Sequence, residues 1–257
     1  MSTTSPVVST TEKRVILKAR KVRPFFGRHP WVLDSAVARV EGQPGDGDVV
    51  DLLSDRGKFV ARGIFNSHSR IRVRLYTWDV AETLDERFWR GRIATACRLR
   101  RTLGYDRSEG GLRWVSSEAD DISGLIVEQY AGHAVMQINS LGLSQRLDIL
   151  TSAIVDEIRP TSITLRTDRQ MAKHEGLAIE EGVCCGERAE GPVFIDEHGI
   201  RYGVDLESGQ KTGFFLDQRE NRKAAASYAS GRRVLDACCY TGGFSLAALA
   251  LGGARET

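Results

Sequence analysis

Between Val15 and Trp78 the apolar positions fall in short runs separated by turn chemistry. The segments VILKARKV, DVVDLLS, GKFVARGIFN and SRIRVRLYTW read as strands, EGQPGDGD as a turn cluster and SDRG as a hairpin connection. The last run alternates, with Ile71, Val73 and Leu75 on one side and Arg70, Arg72 and Arg74 on the other. Several short strands in one span predict a small barrel-like β domain. At DVAETLDERFWRGRIATACRLRRTLGY the period changes from two to about 3.6, with Phe88, Ile93, Ala96, Leu99 and Leu103 apolar, which predicts an amphipathic helix after a turn capped near Thr83. GLIVEQYAGHAVMQI reads as two strands around Ala131-Gly132, LSQRLDILTSAIVDEIR as a helix ended by Pro160, and SITLRTD as another strand. EEGVCCGERAEGP reads as the exit from this α+β unit.

Beyond Pro192, VFIDEHGIRYGVDL predicts a hairpin turning at His198-Gly199. ESGQKTGFFLDQRENRKAAASYASG starts as a glycine-rich loop and turns helical from Asp217 to Tyr228, with Gly231 as the stop. RRVLDACCYTGGFSLAALALGGA then reads as strand, tight turn and helix. No internal repeat interrupts the pattern.

Composition bounds the class. A chain of 257 residues with 41% hydrophobic and 27% charged residues is globular material of about two domains. The polar start MSTTSPVVSTT has neither charge nor apolar period, so residues 1–12 read as a disordered tail and not a secretion signal. No run reaches about 18 apolar residues, so no membrane partner is expected. Five cysteines, two pairs of them adjacent, make a poor disulfide framework and point to a reducing cytoplasm. The absence of Cys-x-x-Cys and of histidines at ligand spacing predicts no metal site. Residues 12–74 hold 14 lysines and arginines against 7 acidic residues, a net of +7, while residues 75–257 hold 22 against 27, a net of −5. The basic first third suggests a polyanionic partner.

Two motifs carry chemistry. In VLDACCYTGGFSLAALALGG an apolar pair ends at Asp236, small residues make a turn, and an alanine-rich helix starts near Phe244. Such a turn lets the backbone approach a nucleoside, and the helix start offers unpaired N–H groups; an ordinary strand-to-helix connection is the alternative. SGQKTGFFLDQRENR sets Thr212, Gly213 and Phe214 beside Asp217, Gln218 and Arg219. Its aromatics suit adenine stacking and its polar groups an amino-acid moiety, or its apolar residues are core and its charges a solvated face. Arg28, His29 and Trp31 in GRHPWV have the composition of a phosphate and base contact, against Trp31 plugging the barrel. Arg70, Arg72 and Arg74 are either an RNA-facing stripe or a solvated face.

Together these motifs closely resemble the ribosomal RNA large subunit methyltransferase I family, which methylates carbon 5 of a cytosine in 23S ribosomal RNA. GRHPWVLDSAV, GKFVARGIFNSHSRIRVRLYTW and EADDISGLIVEQY extend the resemblance from Lys13 to Ala254. Two departures stand out. DDISGLIV replaces the Asp-Gly-Leu-Pro-Gly turn usual in relatives, and Cys238-Cys239 stands where relatives often have Phe or Cys followed by Ser; Cys238 and Tyr240 also occupy the first two glycine positions of the acidic-x-Gly-x-Gly-x-Gly motif of class I methyltransferases. The resemblance implies an α/β and α+β multidomain chain: a PUA-type small β-barrel (13–78), a middle α+β domain (79–190) and the first part of a Rossmann-like methyltransferase domain (191–257). It implies S-adenosyl-L-methionine as cofactor, held by Thr212, Gly213, Phe214, Asp217, Gln218 and Arg219 and by Asp236, Cys238, Tyr240, Gly242, Gly243 and Phe244. It implies ribosomal RNA as partner and favours RNA contact at Arg28, His29 and Trp31, while the regional net charge of +7 favours the RNA-facing reading of Arg70, Arg72 and Arg74; a homodimer is admitted.

The family's nucleophile, a cysteine that adds to carbon 6 of cytosine so that carbon 5 can accept the methyl group, is expected beyond Thr257, as is the acidic residue that holds the ribose. Cys238 and Cys239 sit in the cofactor turn, where a thiolate would face the methyl donor and not the base. No catalytic residue is assigned. The chain is therefore expected to be an inactive, truncated product that exposes Leu246, Leu249 and Leu251. A free-standing RNA-binding protein with a vestigial methyltransferase stub is the rival reading.

Overall fold

The computed structural model describes residues 11–106, 110–206 and 213–257. The polar start and Thr212 therefore lie outside the described residues, apart from Thr11 and Glu12.

Six strands build the first unit: β1 (Arg14–Leu17), β2 (Trp31–Leu33), β3 (Val37–Glu41), β4 (Val49–Leu53), β5 (Phe59–Phe65) and β6 (Ile71–Thr77), with a one-turn helix α1 (Arg23–Phe26) between β1 and β2. Their order is β2-β6-β5-β4-β1-β3, with β1 and β4 parallel and the other neighbours antiparallel. The two edge strands β2 and β3 are joined by only Asp34–Ala36, so the sheet has to curl on itself, and the expected barrel-like form follows. Val15, Leu17, Val32, Val50, Leu52, Val73 and Leu75 fill its interior.

The opposite face of β5 and β6 is covered as well. Ile64 and Tyr76 belong to the core of the next unit, and Asp51 and Arg62, direct cross-strand partners, form an ion pair at 2.7 Å beneath it. That unit is a five-stranded sheet of β7 (Gly111–Ser116), β8 (Leu125–Tyr130), β9 (His133–Ile138), β10 (Ser162–Arg166) and β11 (Gly182–Gly186), in the order β11-β10-β9-β8-β7. Helix α2 (Glu86–Thr102) starts at Asp85, whose carboxylate accepts from the Phe88 N–H at 2.9 Å; the cap is two residues later than Thr83. α3 (Leu141–Ser144) and α4 (Leu147–Ile158) divide what the sequence suggests is one helix, and α5 (Arg169–Glu175) follows β10. α2 packs along α4 through Trp89, Ile93, Ala96 and Cys97, whereas Leu99 and Leu103 stay about half exposed.

The third unit is a hairpin of β12 (Val193–Glu197) and β13 (Ile200–Val204), then α6 (Arg219–Ala226) and α7 (Gly243–Ala250). His198 and Gly199 both take positive φ, as a two-residue hairpin turn requires, and Ala131 and Gly132 do the same between β8 and β9. Ile195, Tyr202, Val204, Phe214 and Leu216 pack on Tyr130 and Val135, on the face of the middle sheet turned away from α2 and α4. The strand expected at Val234-Leu235 is not formed. A single parallel bridge, Arg233 to Glu256, stands in its place, and Leu235 is 93% exposed, because a parallel strand is stable only between neighbours that cover both faces. Leu246, Leu249 and Leu251 are exposed, as expected. No described helix is long and apolar enough to cross a membrane.

Candidate functional site

The turn from Asp236 to Phe244 has an unusual backbone. Cys238, Tyr240 and Gly242 take φ of 62°, 49° and 70°, so three alternate residues are left-handed. These are the three glycine positions of the motif that the sequence brings to mind, and two of them carry side chains that pay about 1–2 kcal/mol each in this region. The chain is held there by its own bonds. Asp236 Oδ2 accepts from the Ser245 N–H and hydroxyl at 3.1 and 3.0 Å and so ties the start of the turn to the first turn of α7, while the Gly242 N–H donates to the Cys239 carbonyl at 2.8 Å. Cys238 and Cys239 are exposed.

Tyr240 joins this turn to the other candidate segment. Its hydroxyl donates to the Gly213 carbonyl at 3.1 Å, and its ring meets Phe215 edge-on at 5.6 Å. Gly213 is required where it stands: its φ is 125°, and a Cβ there would lie 2.8 Å from Val204 Cγ1. Phe214 is not a surface platform for a base. It is 4% exposed, its ring lies against Tyr202 at 5.0 Å with the Arg222 guanidinium over it at 4.5 Å, and its carbonyl accepts from the Tyr130 hydroxyl. Asp217 and Arg219 turn elsewhere, lining a cleft of about 410 Å³ against Leu99, Leu103 and Leu112 that contains no residue of the 236–244 turn. Arg219 donates to the Gly111 carbonyl at 2.5 Å, and Gln218 accepts from the Asn221 amide at 3.0 Å.

Beneath both segments lies a pair that composition does not single out. Arg222 forms a two-pronged ion pair with Glu197, Nε to Oε1 and Nη2 to Oε2 both at 2.7 Å, and its Nη1 donates to the Phe215 carbonyl. A Cβ on Gly243 would lie 3.0 Å from Arg222 Cδ, so the start of α7 rests on this side chain. The Tyr202 hydroxyl donates to the Gly243 carbonyl at 3.4 Å, and burial, together with the Glu197 charge, pushes its pKa up. Arg222 is visible in the sequence as part of a polar cluster; Glu197 has no signal, because its partner comes from another element.

The arginines of β6 do not form one stripe. Arg70 is exposed, Arg72 is half-buried with its guanidinium donating to the Asn66 and Ser67 carbonyls, and Arg74 is 4% exposed. Arg74 donates to Ser123 Oγ at 2.9 Å and to Glu175 Oε1 at 3.1 Å, and Glu175 also accepts from Ser69 and Asn66. Alternation placed these side chains on the correct face, but that face is the joint with the middle unit, which removes Arg74 from any RNA surface. Trp31 belongs to the same joint: it lies over the Arg74 guanidinium, and its Nε1 donates to Ser123 Oγ at 3.0 Å and Glu118 Oε1 at 3.1 Å, so it does not plug the barrel. Burial alone would raise the Glu118 pKa, but the donors Ser117, Ser123, its own N–H and Trp31 outweigh it and hold the carboxyl below its usual range. The DDISG departure makes this joint, with Asp121 left-handed at φ 58° and Ser123 as the shared hydroxyl. His29 is exposed, its Nδ1 accepting from the Trp31 N–H, and Arg28 is exposed over the Trp78 ring at 5.8 Å. No group of three or more His, Cys, Asp or Glu able to hold a metal ion occurs among the described residues.

Comparison with known proteins follows this division. Residues 15–78 match a family model described as a PUA-like domain, and residues 180–257 one described as an S-adenosylmethionine-dependent methyltransferase. The chain is 41% identical over 242 residues to the ribosomal RNA large subunit methyltransferase I of Aeromonas hydrophila, and 39% identical over 251 residues to that of Tolumonas auensis. The matches cover 94% and 97% of the chain; the chain spans about 60% of the length of these relatives. Its fold matches a candidate SAM-dependent methyltransferase from Streptococcus mutans with a TM-score of 0.79 at 20% identity, covering 94% of this chain and 61% of that one. A second candidate methyltransferase, solved in complex with SAH, matches with a TM-score of 0.77 at 22% identity over 94% of this chain and 60% of that one. The chain thus matches a PUA-like domain at its start and an S-adenosylmethionine-dependent methyltransferase model over residues 180–257, and over most of its length it is similar to ribosomal RNA large subunit methyltransferases.

Proposed function

We propose that this chain carries the RNA-binding and cofactor-binding parts of a methyltransferase that modifies carbon 5 of a cytosine in 23S ribosomal RNA. The observation that supports the reading most is the 236–244 turn. Three alternate left-handed residues lead directly into the start of a helix, a backbone arrangement that suits a nucleoside bearing an amino-acid tail. S-adenosylmethionine supplies an electrophilic methyl group when bound. Asp236, Cys238, Tyr240, Gly242, Gly243 and Phe244 form the cofactor face in this reading. Gly213 sets the path of the facing segment, and Phe214 acts from the core beneath it. Thr212, Asp217, Gln218 and Arg219 are assigned to the cofactor on the resemblance alone, and the geometry of Asp217 and Arg219 argues against direct contact. Arg28, His29 and Arg70 remain candidates for RNA.

Attack on carbon 6 of cytosine needs a thiolate. Burial pushes the Cys97 thiol up to about 12 and also raises Cys184, while Cys238 and Cys239 stand in the cofactor turn. Cys185 is partly buried against the middle core, so none of the five is suited to the attack, and the 257-residue polypeptide is expected to bind cofactor and RNA without transferring methyl. Two measurements test the reading. Deleting the gene should remove one 5-methylcytosine from 23S RNA as read by nucleoside mass spectrometry, and an unchanged content would refute the substrate. Transfer of tritiated methyl to ribosomal RNA by the purified 257-residue chain would refute the absence of a nucleophile.

A further inference from the structure

Where the barrel meets α2 there is a cleft of about 1070 Å³ that the cofactor site does not use. Its barrel wall carries Arg56 and Lys58 on the β4–β5 turn and Arg28 on the loop after α1; its floor includes Trp78 and Phe59; its far wall is Arg92 of α2. The two walls differ in electrostatics. Arg92 is satisfied within the protein, lying over the Phe88 ring at 4.9 Å and pairing with Asp121 at 3.3 Å and Glu82 at 3.5 Å; with exposed Asp79 also lining the cleft, that side is net negative and a strand's phosphates are confined to the barrel wall. Arg28, Arg56 and Lys58 are exposed, and among the described residues no carboxylate lies within ion-pair distance of any of them. Trp78 is held rather than free to swing, because its Nε1 donates to the Phe25 carbonyl at 2.7 Å, and the Arg28 guanidinium lies over its ring at 5.8 Å, so a ligand meets an Arg28–Trp78 stack and not a bare indole face.

A row of three uncompensated cations above fixed aromatic rings is the chemistry of a single-stranded nucleic-acid site, in which cations track the phosphates and rings stack on bases. A protein partner would be met instead by a neutral, apolar centre. We infer that this cleft seats a single-stranded segment of RNA, its phosphates along Arg56 and Lys58 and a base against the Arg28–Trp78 stack. The inference rests on the proposed RNA substrate and adds where the strand lies: at the seam of the barrel and the middle unit, not along β6.

The test uses the full 257-residue chain and a fluorescein-labelled, unstructured oligoribonucleotide, with anisotropy read between about 50 and 200 mM salt. Arg56→Glu/Lys58→Glu should weaken binding by about tenfold or more at the low-salt end and lower the slope of log affinity against log salt by about 1.4, that is about 0.7 per phosphate contact of a single strand. Arg169→Glu/Lys173→Glu, the same charge change on exposed residues of α5 outside the cleft, should leave the slope close to wild type. Because Arg56 and Lys58 make no side-chain bonds, melting should not change. Equal loss in the two double variants, or none in the cleft variant, overturns the inference while the RNA substrate stands. Equal competition by a duplex or by inorganic polyphosphate overturns the assignment to a single strand with a stacked base. No RNA binding by the wild-type chain would overturn the substrate itself.

Discussion

The Glu197–Arg222 pair gives the most demanding prediction, because it joins three elements that approach the candidate cofactor turn. Both side chains are 4% exposed or less, so solvent does not screen them, and the pair makes two hydrogen bonds of 2.7 Å. Removing one member of such a pair leaves a buried charge and costs about 3–5 kcal/mol, whereas replacing both by apolar residues of similar volume is often close to neutral. Glu197→Met should lie at the upper end, since Arg219 Nε is 3.6 Å from the same carboxylate and two guanidinium groups would lose their anion. Arg222→Met should cost somewhat less electrostatically, but also frees the Phe215 carbonyl and removes the support under Gly243. The double variant should be more stable than the sum of the single losses by at least about 2 kcal/mol. Urea unfolding followed by far-UV circular dichroism gives the totals, and hydrogen exchange in the β12–β13 hairpin and α6 localises them. Single losses below about 1 kcal/mol, or strict additivity, would refute the argument that this pair organises the segment.

Other consequences follow from the same geometry. Tyr240→Phe should cost about 0.5–1.5 kcal/mol for the bond to the Gly213 carbonyl and weaken S-adenosylhomocysteine binding measured by calorimetry, whereas an unchanged affinity would detach Tyr240 from the site. Cys238→Val should destabilise by about 1–2 kcal/mol because a β-branched residue tolerates left-handed φ poorly, while Cys238→Gly should be neutral to stabilising by about 1 kcal/mol in the same urea titration, the relief of left-handed strain being partly offset by glycine's greater unfolded-state entropy. Arg74→Ala should lose about 3–5 kcal/mol and expose the joint to limited proteolysis, and Arg70→Ala should change stability by less than about 0.5 kcal/mol. The depressed Glu118 carboxyl stabilises the fold above its unfolded value of 4.5 and loses that contribution as pH falls through the lower folded value. The melting advantage of wild type over Glu118→Gln should accordingly be full at neutral pH and shrink below about pH 4.5, and a constant difference would contradict the assignment.

Local turn chemistry was legible in the sequence, and contacts between units were not. The hairpins at Ala131-Gly132 and His198-Gly199 were readable because each depends on a few adjacent residues, whereas the helix expected over Asp217–Tyr228 with its stop at Gly231 is shorter, running over Arg219–Ala226 with Ser227 as its C-cap. β11 was missed because GVCCG, bounded by charges and glycines, becomes a strand only by pairing with the edge of β10. The alternation of β6 gave the faces correctly, yet nothing in it says that the second face is covered; that depends on Ser123 and Glu175, 49 and 101 positions away from Arg74. Leu99 and Leu103 lie off the Trp89, Ile93, Ala96 and Cys97 stripe of α2 that is buried, although Glu157 of α4 reaches as far as Arg101, so they remain exposed beside Asp217 and Arg219. The motif 236–244 was recognised by its residue types, but its departures at Cys238 and Tyr240 acquire meaning only from the φ angles, which show side chains held in conformations suited to glycine.

The central claim, that the 236–244 turn and the segment clasped to it by Tyr240 form a cofactor site, is tested most directly by equilibrium dialysis of labelled S-adenosylmethionine against the 257-residue chain and its Gly243→Asp variant. A Cβ at Gly243 would crowd Arg222 Cδ, and a side chain there would block the close approach of the nucleoside to the backbone. The account predicts saturable binding to one site, displaced by S-adenosylhomocysteine and lost in the variant while the barrel and middle unit stay folded. Binding that the variant retains, or no binding to the wild-type chain, would contradict it.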